Sequence, residues 1–203
     1  MQKSMRLTVI MYLISLNVSM GQENLSYIDE SDPVGVSKVY QDSLNAKLLK
    51  DIDNRPVAQY LVAPSLTPEY ILILEKEGND FFLTYRILNQ NYWLSKRREK
   101  ITVETIRKQV DAMHAIGLRR LFEASMKNKT RDDRPGHDGT TYYFLVLTDK
   151  ETTERAKVWS PRKGTRTKKL TEICEKYIAV FRTKKEFPAE LLTEMEELLA
   201  TYK

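Results

Sequence analysis

The stretch that decides the fold runs from residue 70 to residue 88 and reads YILILEKEGNDFFLTYRIL. Its first five residues are apolar on both faces of an extended chain, which is typical of a strand covered on both sides. Residues 77–80, EGND, form a hairpin signal, and residues 81–88 are again β-prone but carry Thr84 and Arg86 on one face. The stretch therefore predicts two antiparallel strands joined by a tight turn.

Working outward toward the N-terminus, residues 57–63 are apolar and β-prone and predict a strand. Residues 37–51 place Tyr40, Leu44 and Leu48 at a spacing of four, which predicts a helix with one apolar stripe. On the other side of the hairpin, residues 92–94 predict one more short strand before the charged run at 96–100. Residues 102–126 then predict a long helix, because Val103, Ile106 and later apolar residues follow a 3,4 spacing and Thr102 suits its N-cap.

The second half opens with RPGHDGTTYYF at residues 134–144. Asp138-Gly139 predicts a turn, since glycine supplies backbone freedom there, and residues 140–147 predict a strand with two apolar faces. Residues 154–159 predict its hairpin partner. Residues 167–181 predict a helix, and Pro188 suits the first position of a final helix.

This order predicts an α+β fold. Two hairpin-plus-helix units (ββα-ββα-α) follow an N-terminal helix, and we expect an antiparallel sheet with the helices packed on it. The length favours a single domain over residues 35–203.

The N-terminus, MQKSMRLTVIMYLISLNVSMG, has the order of a secretory signal peptide. Lys3 and Arg6 precede an apolar run that is too short to span a bilayer, and Ser19 and Gly21 suit cleavage before Gln22. We expect residues 1–21 to be a signal peptide and residues 22–34 a flexible leader, with a buried N-terminal helix or an uncleaved anchor as alternatives. Export to the periplasm or cell surface follows, and the net charge falls from +5 (33 minus 28) to +3 (31 minus 28) on cleavage.

Catalytic and cofactor signatures are weak. The single cysteine, Cys174, lies on the apolar stripe of the helix at 167–181, which predicts a buried structural thiol. The seven glycines make no phosphate-binding loop. His137 lies among acids at 132–138, but the other histidine, His114, has no paired ligand spacing. We therefore expect no catalytic residue, no metal site and no cofactor.

Two tryptophans stand beside basic runs. Trp93 precedes residues 96–100 and Trp159 precedes residues 162–169, each between a strand end and a predicted helix start. If these loops meet at one edge of the sheet, they form a basic, aromatic rim that suits an anionic ligand or a protein partner; ordinary solvated loops are the alternative. The candidate ligand-binding residues are Trp93, Arg97, Arg98, Trp159, Arg162 and Lys163.

Three segments of the second half carry a general resemblance to known sequences, namely DGTTYYF at 138–144, VWSP at 158–161 and LTEICEKYI at 170–178. Together with a signal that ends before Gln22, the region 134–182 resembles small exported proteins of uncharacterised families from Bacteroides-type bacteria. The resemblance implies an exported setting and transfers no functional residues.

These observations favour an exported, non-enzymatic binding domain. Its partner is expected to be a protein or an anionic glycan or phosphate ligand, with no specific nucleic acid and no membrane span after signal cleavage. The alternative is a hydrolase that acts on cell-envelope or dietary polymers. That alternative predicts a cleft in which His137 or His114 lies within hydrogen-bond reach of a carboxylate or hydroxyl.

Overall fold

The computed structural model describes residues 21–28, 36–52, 55–131, 139–183 and 186–202. The helices and strands follow one another in the order α1, β1 to β4, α2, β5, β6, α3 and α4. The helices are α1 (Val36–Leu48), α2 (Ala112–Met126), α3 (Arg166–Thr183) and α4 (Glu190–Ala200). The strands are β1 (Ala58–Pro64), β2 (Tyr70–Glu77), β3 (Asp80–Leu88), β4 (Val103–Val110), β5 (Thr140–Leu147) and β6 (Thr153–Trp159).

Within the described residues the six strands form one antiparallel sheet in the order β4-β3-β2-β1-β5-β6. The stretch at 70–88 gives β2 and β3, joined by the predicted turn with Gly78 at a positive φ of 60°. The apolar run of β2 is buried on both faces, from Ile71 to Leu74. It lies inside the sheet between β1 and β3, as its pattern predicts.

Each face of the sheet has its own apolar core. Helices α2, α3 and α4 cover one face, where residues such as Tyr60, Leu72 and Phe144 are buried. Helix α1 covers the other face, with Leu44 and Leu48 packed on β1 and β2. The predicted α+β class, an antiparallel sheet with helices packed on it, is confirmed.

The long helix predicted over 102–126 is wrong in its first third. Val103–Val110 is strand β4, paired along its whole length with β3, and α2 begins only after Asp111, whose side chain accepts hydrogen bonds from Met113 N–H and His114 N–H. The strand lies at the edge of the sheet and is polar at most positions, so it lacks the period-2 signal of a half-buried strand. Pairing with β3 therefore overrides the chance 3,4 spacing of its apolar residues.

The short strand predicted at 92–94 is also wrong, because these residues form a turn before a 3-10 helix at Arg98–Lys100. Part of the predicted leader is packed as well. Leu25 and Ser26 are buried, and Ser26 exchanges backbone hydrogen bonds with Lys157 of β6 at 2.7 and 2.9 Å. The prediction of a flexible leader is therefore wrong for residues 22–28. Residues 29–34 lie outside the described residues.

Several finer predictions are confirmed. Tyr142, Phe144 and Val146 of β5 face the core under α2, α3 and α4. The thiol of Cys174 is fully buried, and this burial raises its pKa well above the ordinary value. Gly117 allows close packing of α2 on α4, because a Cβ atom there would lie 2.7 Å from Cε of Met195.

Candidate functional site

The two tryptophan loops lie at the same end of the sheet. Strand β3 ends there, just before Trp93, and β6 ends there at Trp159. Strands β2, β4 and β5 start there, because Val62 of β1 pairs with both Tyr70 and Tyr142 and Leu88 of β3 pairs with Val103. However, β2, β1 and β5 lie between β3 and β6. The two strand ends are therefore four inter-strand spacings apart, roughly 19 Å.

At the β6 end, the candidate residues are engaged within the fold. The ring of Trp159 is half-buried and lies over Gly139, where a Cβ atom would come within 2.8 Å of its indole nitrogen. The guanidinium of Arg162 pairs with the Glu23 carboxylate at 2.8 Å. Lys163 is exposed. This end of the sheet uses its tryptophan and one of its two cations to hold neighbouring chain segments.

At the β3 end, Trp93 is presented to solvent with 48% of its surface exposed. The turn that carries Trp93 is held by the side chain of Glu69, which is fully buried. The Glu69 carboxylate accepts hydrogen bonds from Tyr40 Oη at 2.6 Å, from Tyr92 N–H at 2.7 Å and from Trp93 N–H at 3.4 Å. Burial and the adjacent Glu69 raise the pKa of Tyr40 well above its ordinary value, so its hydroxyl stays a donor.

Two further side chains hold the same turn. The buried Asn91 donates from Nδ2 to the carbonyls of Pro64 and Thr67, and its Oδ1 accepts from Leu94 N–H at 2.8 Å. The guanidinium of Arg98 donates to the carbonyl of Tyr92 at 3.1 Å and lies 5.0 Å from the centre of its ring. The turn is thereby tied to the β1–β2 connection and to its own following residues.

Apolar side chains are exposed in this turn and in the two segments that contact it, the β1–β2 connection and helix α1. Leu94 is 56% exposed and Leu66, in the connection that Asn91 holds, is 76% exposed. Val39 is 61% exposed and lies on helix α1 beside Tyr40. The centre of the Tyr40 ring lies 5.2 Å from the centre of the Trp93 ring, in an edge-on contact. Lys96 and Arg97 are exposed directly after the turn. We call this set the Trp93 surface: Val39, Leu66, Trp93, Leu94, Lys96 and Arg97.

Of the two histidines that the hydrolase alternative names, only His114 lies in the described part of the chain. His137 lies outside the described residues, as do the acids at 132, 133 and 138. His114 is only 2% exposed; its Nδ1 lies 2.5 Å from Tyr177 Oη and its Nε2 lies 3.7 Å from Asp111 Oδ2. Burial lowers the pKa of His114. A hydroxyl and a carboxylate are thus near, but the imidazole lies among core side chains and not in a cleft.

Other features of the described residues carry no site. The carboxylate of Glu175 accepts hydrogen bonds from Tyr60 and Tyr70 at 2.9 and 2.7 Å, which satisfies hydroxyls between α3 and the sheet. A cavity between Leu118, Phe122 and the sheet has room for about one water molecule. Across the described ranges, no three His, Cys, Asp or Glu side chains cluster as metal ligands. In the same ranges, no helix has the length and hydropathy of a membrane span.

Comparison of the chain with protein-family models, with curated proteins and with solved structures finds no match. The resemblance to exported proteins of Bacteroides-type bacteria therefore stays a prediction, as do the signal peptide and the export that it supports.

The sequence pointed to Trp93, Arg97 and Arg98 as candidates, whose binding role stays a prediction, but not to the residues that hold their turn. Glu69 is a single acid between Pro68 and an apolar strand, where it is indistinguishable from a solvated strand-end residue. Leu66 carried a usable signal, because a leucine inside the polar connection PSLTP has no strand or helix stripe to join. An apolar side chain in that position is expected to be exposed.

Proposed function

We propose that this protein is an exported binding domain and that the Trp93 surface docks a polypeptide segment with aliphatic side chains flanked by acidic residues. The observation that carries the proposal is the buried Glu69 beneath an exposed Trp93. Burying a carboxylate is costly unless hydrogen bonds compensate it. Here those hydrogen bonds fix a turn that exposes the apolar side chains of Trp93 and Leu94 to solvent. This supports a binding role for these side chains.

The chemistry of the Trp93 surface supports the choice of partner. Three of its four apolar members are aliphatic, and one is a half-exposed indole. Aliphatic side chains gain by burial against aliphatic partners, whereas a sugar ligand is better served by flat aromatic rings with polar neighbours. Lys96 and Arg97 are exposed and follow Trp93 and Leu94 closely in the chain, and they favour a partner with acidic groups beside its apolar ones.

Binding is tested with defined probes on the folded protein. The probes are synthetic peptides that carry two or three leucines flanked by Asp and Glu, the same peptides with Lys and Arg flanks, a heparin fragment and inorganic phosphate. We expect the acid-flanked peptides to bind, to shift the fluorescence of Trp93 in a Trp159→Phe background, and to weaken as salt shortens the screening length. Heparin binding without peptide binding would instead favour an anionic glycan partner and overturn the proposal.

Matched variants locate the site. Leu94→Asp places a charge in the Trp93 surface, and we expect at least tenfold weaker peptide binding, which corresponds to about 1.4 kcal/mol. Met113→Asp is the control, because Met113 on α2 is 69% exposed and lies outside that surface. Both changes fall at exposed positions and should leave the free energy of unfolding within about 0.5 kcal/mol. Equal binding by the two variants would place the peptide site elsewhere.

A further inference from the structure

The start of the expected mature chain is docked on strand β6. Gln22 is 3% exposed. Its backbone N–H donates to the carbonyl of Trp159 at 3.4 Å, its side-chain Oε1 accepts from Trp159 N–H at 2.5 Å, and its own carbonyl accepts from Arg162 N–H at 2.9 Å. Downstream, the buried Leu25 and the Ser26–Lys157 hydrogen bonds continue the attachment.

The pairing between Gln22 and Trp159 differs from an ordinary antiparallel ladder. In a ladder, both residues of a hydrogen-bonded pair use their backbone N–H and C=O. Gln22 uses its backbone N–H and its side-chain carbonyl for this pair, while its backbone carbonyl turns to Arg162. The backbone nitrogen and the side-chain amide carbonyl of one glutamine therefore face the same residue.

We propose that, once the chain is cut before Gln22, this residue cyclises to pyroglutamate and that the backbone of Trp159 is the docking site of the resulting lactam. The neutral α-amino nitrogen attacks Cδ of the side-chain amide, the bond from Cδ to Nε2 breaks, one proton passes from the attacking nitrogen to Nε2, and Nε2 leaves as ammonia. No atom is oxidised or reduced. The inference rests on the signal cleavage in the proposed function and is independent of the Trp93 surface.

The lactam fits the groups that are already present. Its N–H and C=O stand side by side in one ring, as a donor and an acceptor that match the C=O and N–H of Trp159. Cyclisation also removes a charge. An N-terminal amine at this position would bury an ammonium group, which is costly, whereas the lactam nitrogen carries no charge and a single donor.

The surroundings of Gly21 indicate whether cleavage comes before or after docking of the segment. A Cβ atom at residue 21 would lie 2.2 Å from the Ser160 carbonyl and 2.8 Å from Arg162 N, so the backbone of Gly21 lies tightly against the β6–α3 connection. A protease that needs an extended substrate has no access to this bond in the folded domain. Cleavage and cyclisation are therefore expected before the segment docks.

The first experiment is intact-mass analysis and N-terminal sequencing of protein exported with its own N-terminus in a Gram-negative host. We expect a chain that begins at residue 22, has lost the mass of one ammonia and is blocked to sequencing. A chain that begins with an uncyclised Gln22 amine after prolonged storage in the folded state overturns the inference and leaves export standing. A chain that begins at another residue overturns the inference and leaves export standing, whereas a chain that keeps Met1 overturns signal cleavage as well. Peptide binding to the Trp93 surface is measured separately.

The second experiment asks whether the site recognises the lactam. The cyclised protein is compared with freshly prepared uncyclised protein and with Gln22→Asn, which keeps an amide but is too short to close the same ring. We expect the cyclised form to melt higher than either of the others by about 3 °C. We also expect pyroglutamyl peptidase to remove the residue from denatured chains and not from folded ones. Equal melting temperatures of the cyclised and uncyclised forms would overturn the docking site.

Discussion

The two tryptophans stand in similar sequence and in different structural surroundings. Trp93 follows strand β3 and Trp159 is the last residue of strand β6, both precede basic residues, and both lie at the same end of the sheet. Trp93 is 48% exposed above a buried carboxylate, whereas Trp159 is half-buried and pairs with the N-terminal segment through its backbone.

The difference lies in what each strand end receives from distant parts of the chain. Strand β3 lies inside the sheet, so its ladder is complete and the following turn is free to project outward on Glu69. Strand β6 is an edge strand, and its open side accepts residues 21–26. An unpaired strand edge recruits a partner segment. A tryptophan beside basic residues therefore marks an exposed surface only where the strand before it is already paired on both sides.

The largest expected effect comes from the carboxylate under Trp93. Glu69→Ala leaves Tyr92 N–H and the Tyr40 hydroxyl without their acceptor inside the protein. We expect the free energy of unfolding in urea to fall by about 3 kcal/mol, since each unsatisfied buried group costs about 1–3 kcal/mol. Glu99→Ala, at an exposed acid in the same loop, is the control and should change it by less than about 0.5 kcal/mol. Similar losses in the two variants would show that Glu69 does not hold the turn.

The next effect concerns the segment docked on β6. Leu25 is 2% exposed and lies in the larger core. We therefore expect Leu25→Ala to lower the free energy of unfolding by about 2 kcal/mol. This is the low end for such a change, because the segment is able to shift and fill the space. Tyr27→Ala, 57% exposed, is the matched control. In a Trp93→Phe background, we expect the emission of Trp159 to shift to the red in Leu25→Ala and to stay constant in the control. Unchanged stability in Leu25→Ala would mean that residues 22–28 do not contribute to the fold.

The cations beside the two tryptophans should differ by a smaller amount. Arg98→Ala removes a hydrogen bond to the Tyr92 carbonyl and a contact with its ring, and we expect a loss of about 1 kcal/mol. Arg162→Ala removes an ion pair with Glu23 that is about half exposed on both sides, which is worth about 0.3 kcal/mol. Urea unfolding at low and high salt separates them, because the exposed pair is screened. The reverse order of effects would contradict the assignment of Arg98 to the turn.

The smallest effect requires no change in stability. In single-tryptophan proteins made by Trp159→Phe and Trp93→Phe, acrylamide should quench Trp93 more steeply than Trp159, since Trp93 has the larger exposed fraction. An acid-flanked peptide should protect Trp93 and leave Trp159 unaffected. Equal quenching of the two indoles would remove the contrast between the two ends of the sheet.

Much of the fold was predictable because apolar patterning is local. The run YILIL gave a fully covered strand, TTYYFLVL gave a strand whose Phe144 and Val146 are buried while its other face is partly covered, and the stripe around Cys174 gave a buried thiol. Strand β4 was not predictable, because an edge strand with polar faces has no period-2 signal. Of the candidate site, Trp93, Arg97 and Arg98 were named from the sequence and their binding role stays a prediction, whereas Glu69 was missed because burial of a lone acid depends on residues from α1 and the β3–β4 turn.

The sequence by itself determined the class of the fold, the hairpin at 77–80, and the positions of most strands and helices, because hydrophobic periodicity and turn chemistry act over a few residues. Only the tertiary structure decided which strand lies at the edge, which carboxylate is buried and which tryptophan faces water. These outcomes depend on pairing between segments far apart in the chain, such as Ser26 with Lys157 and Tyr40 with Glu69. A hydrogen bond between distant residues leaves no periodic trace in either segment.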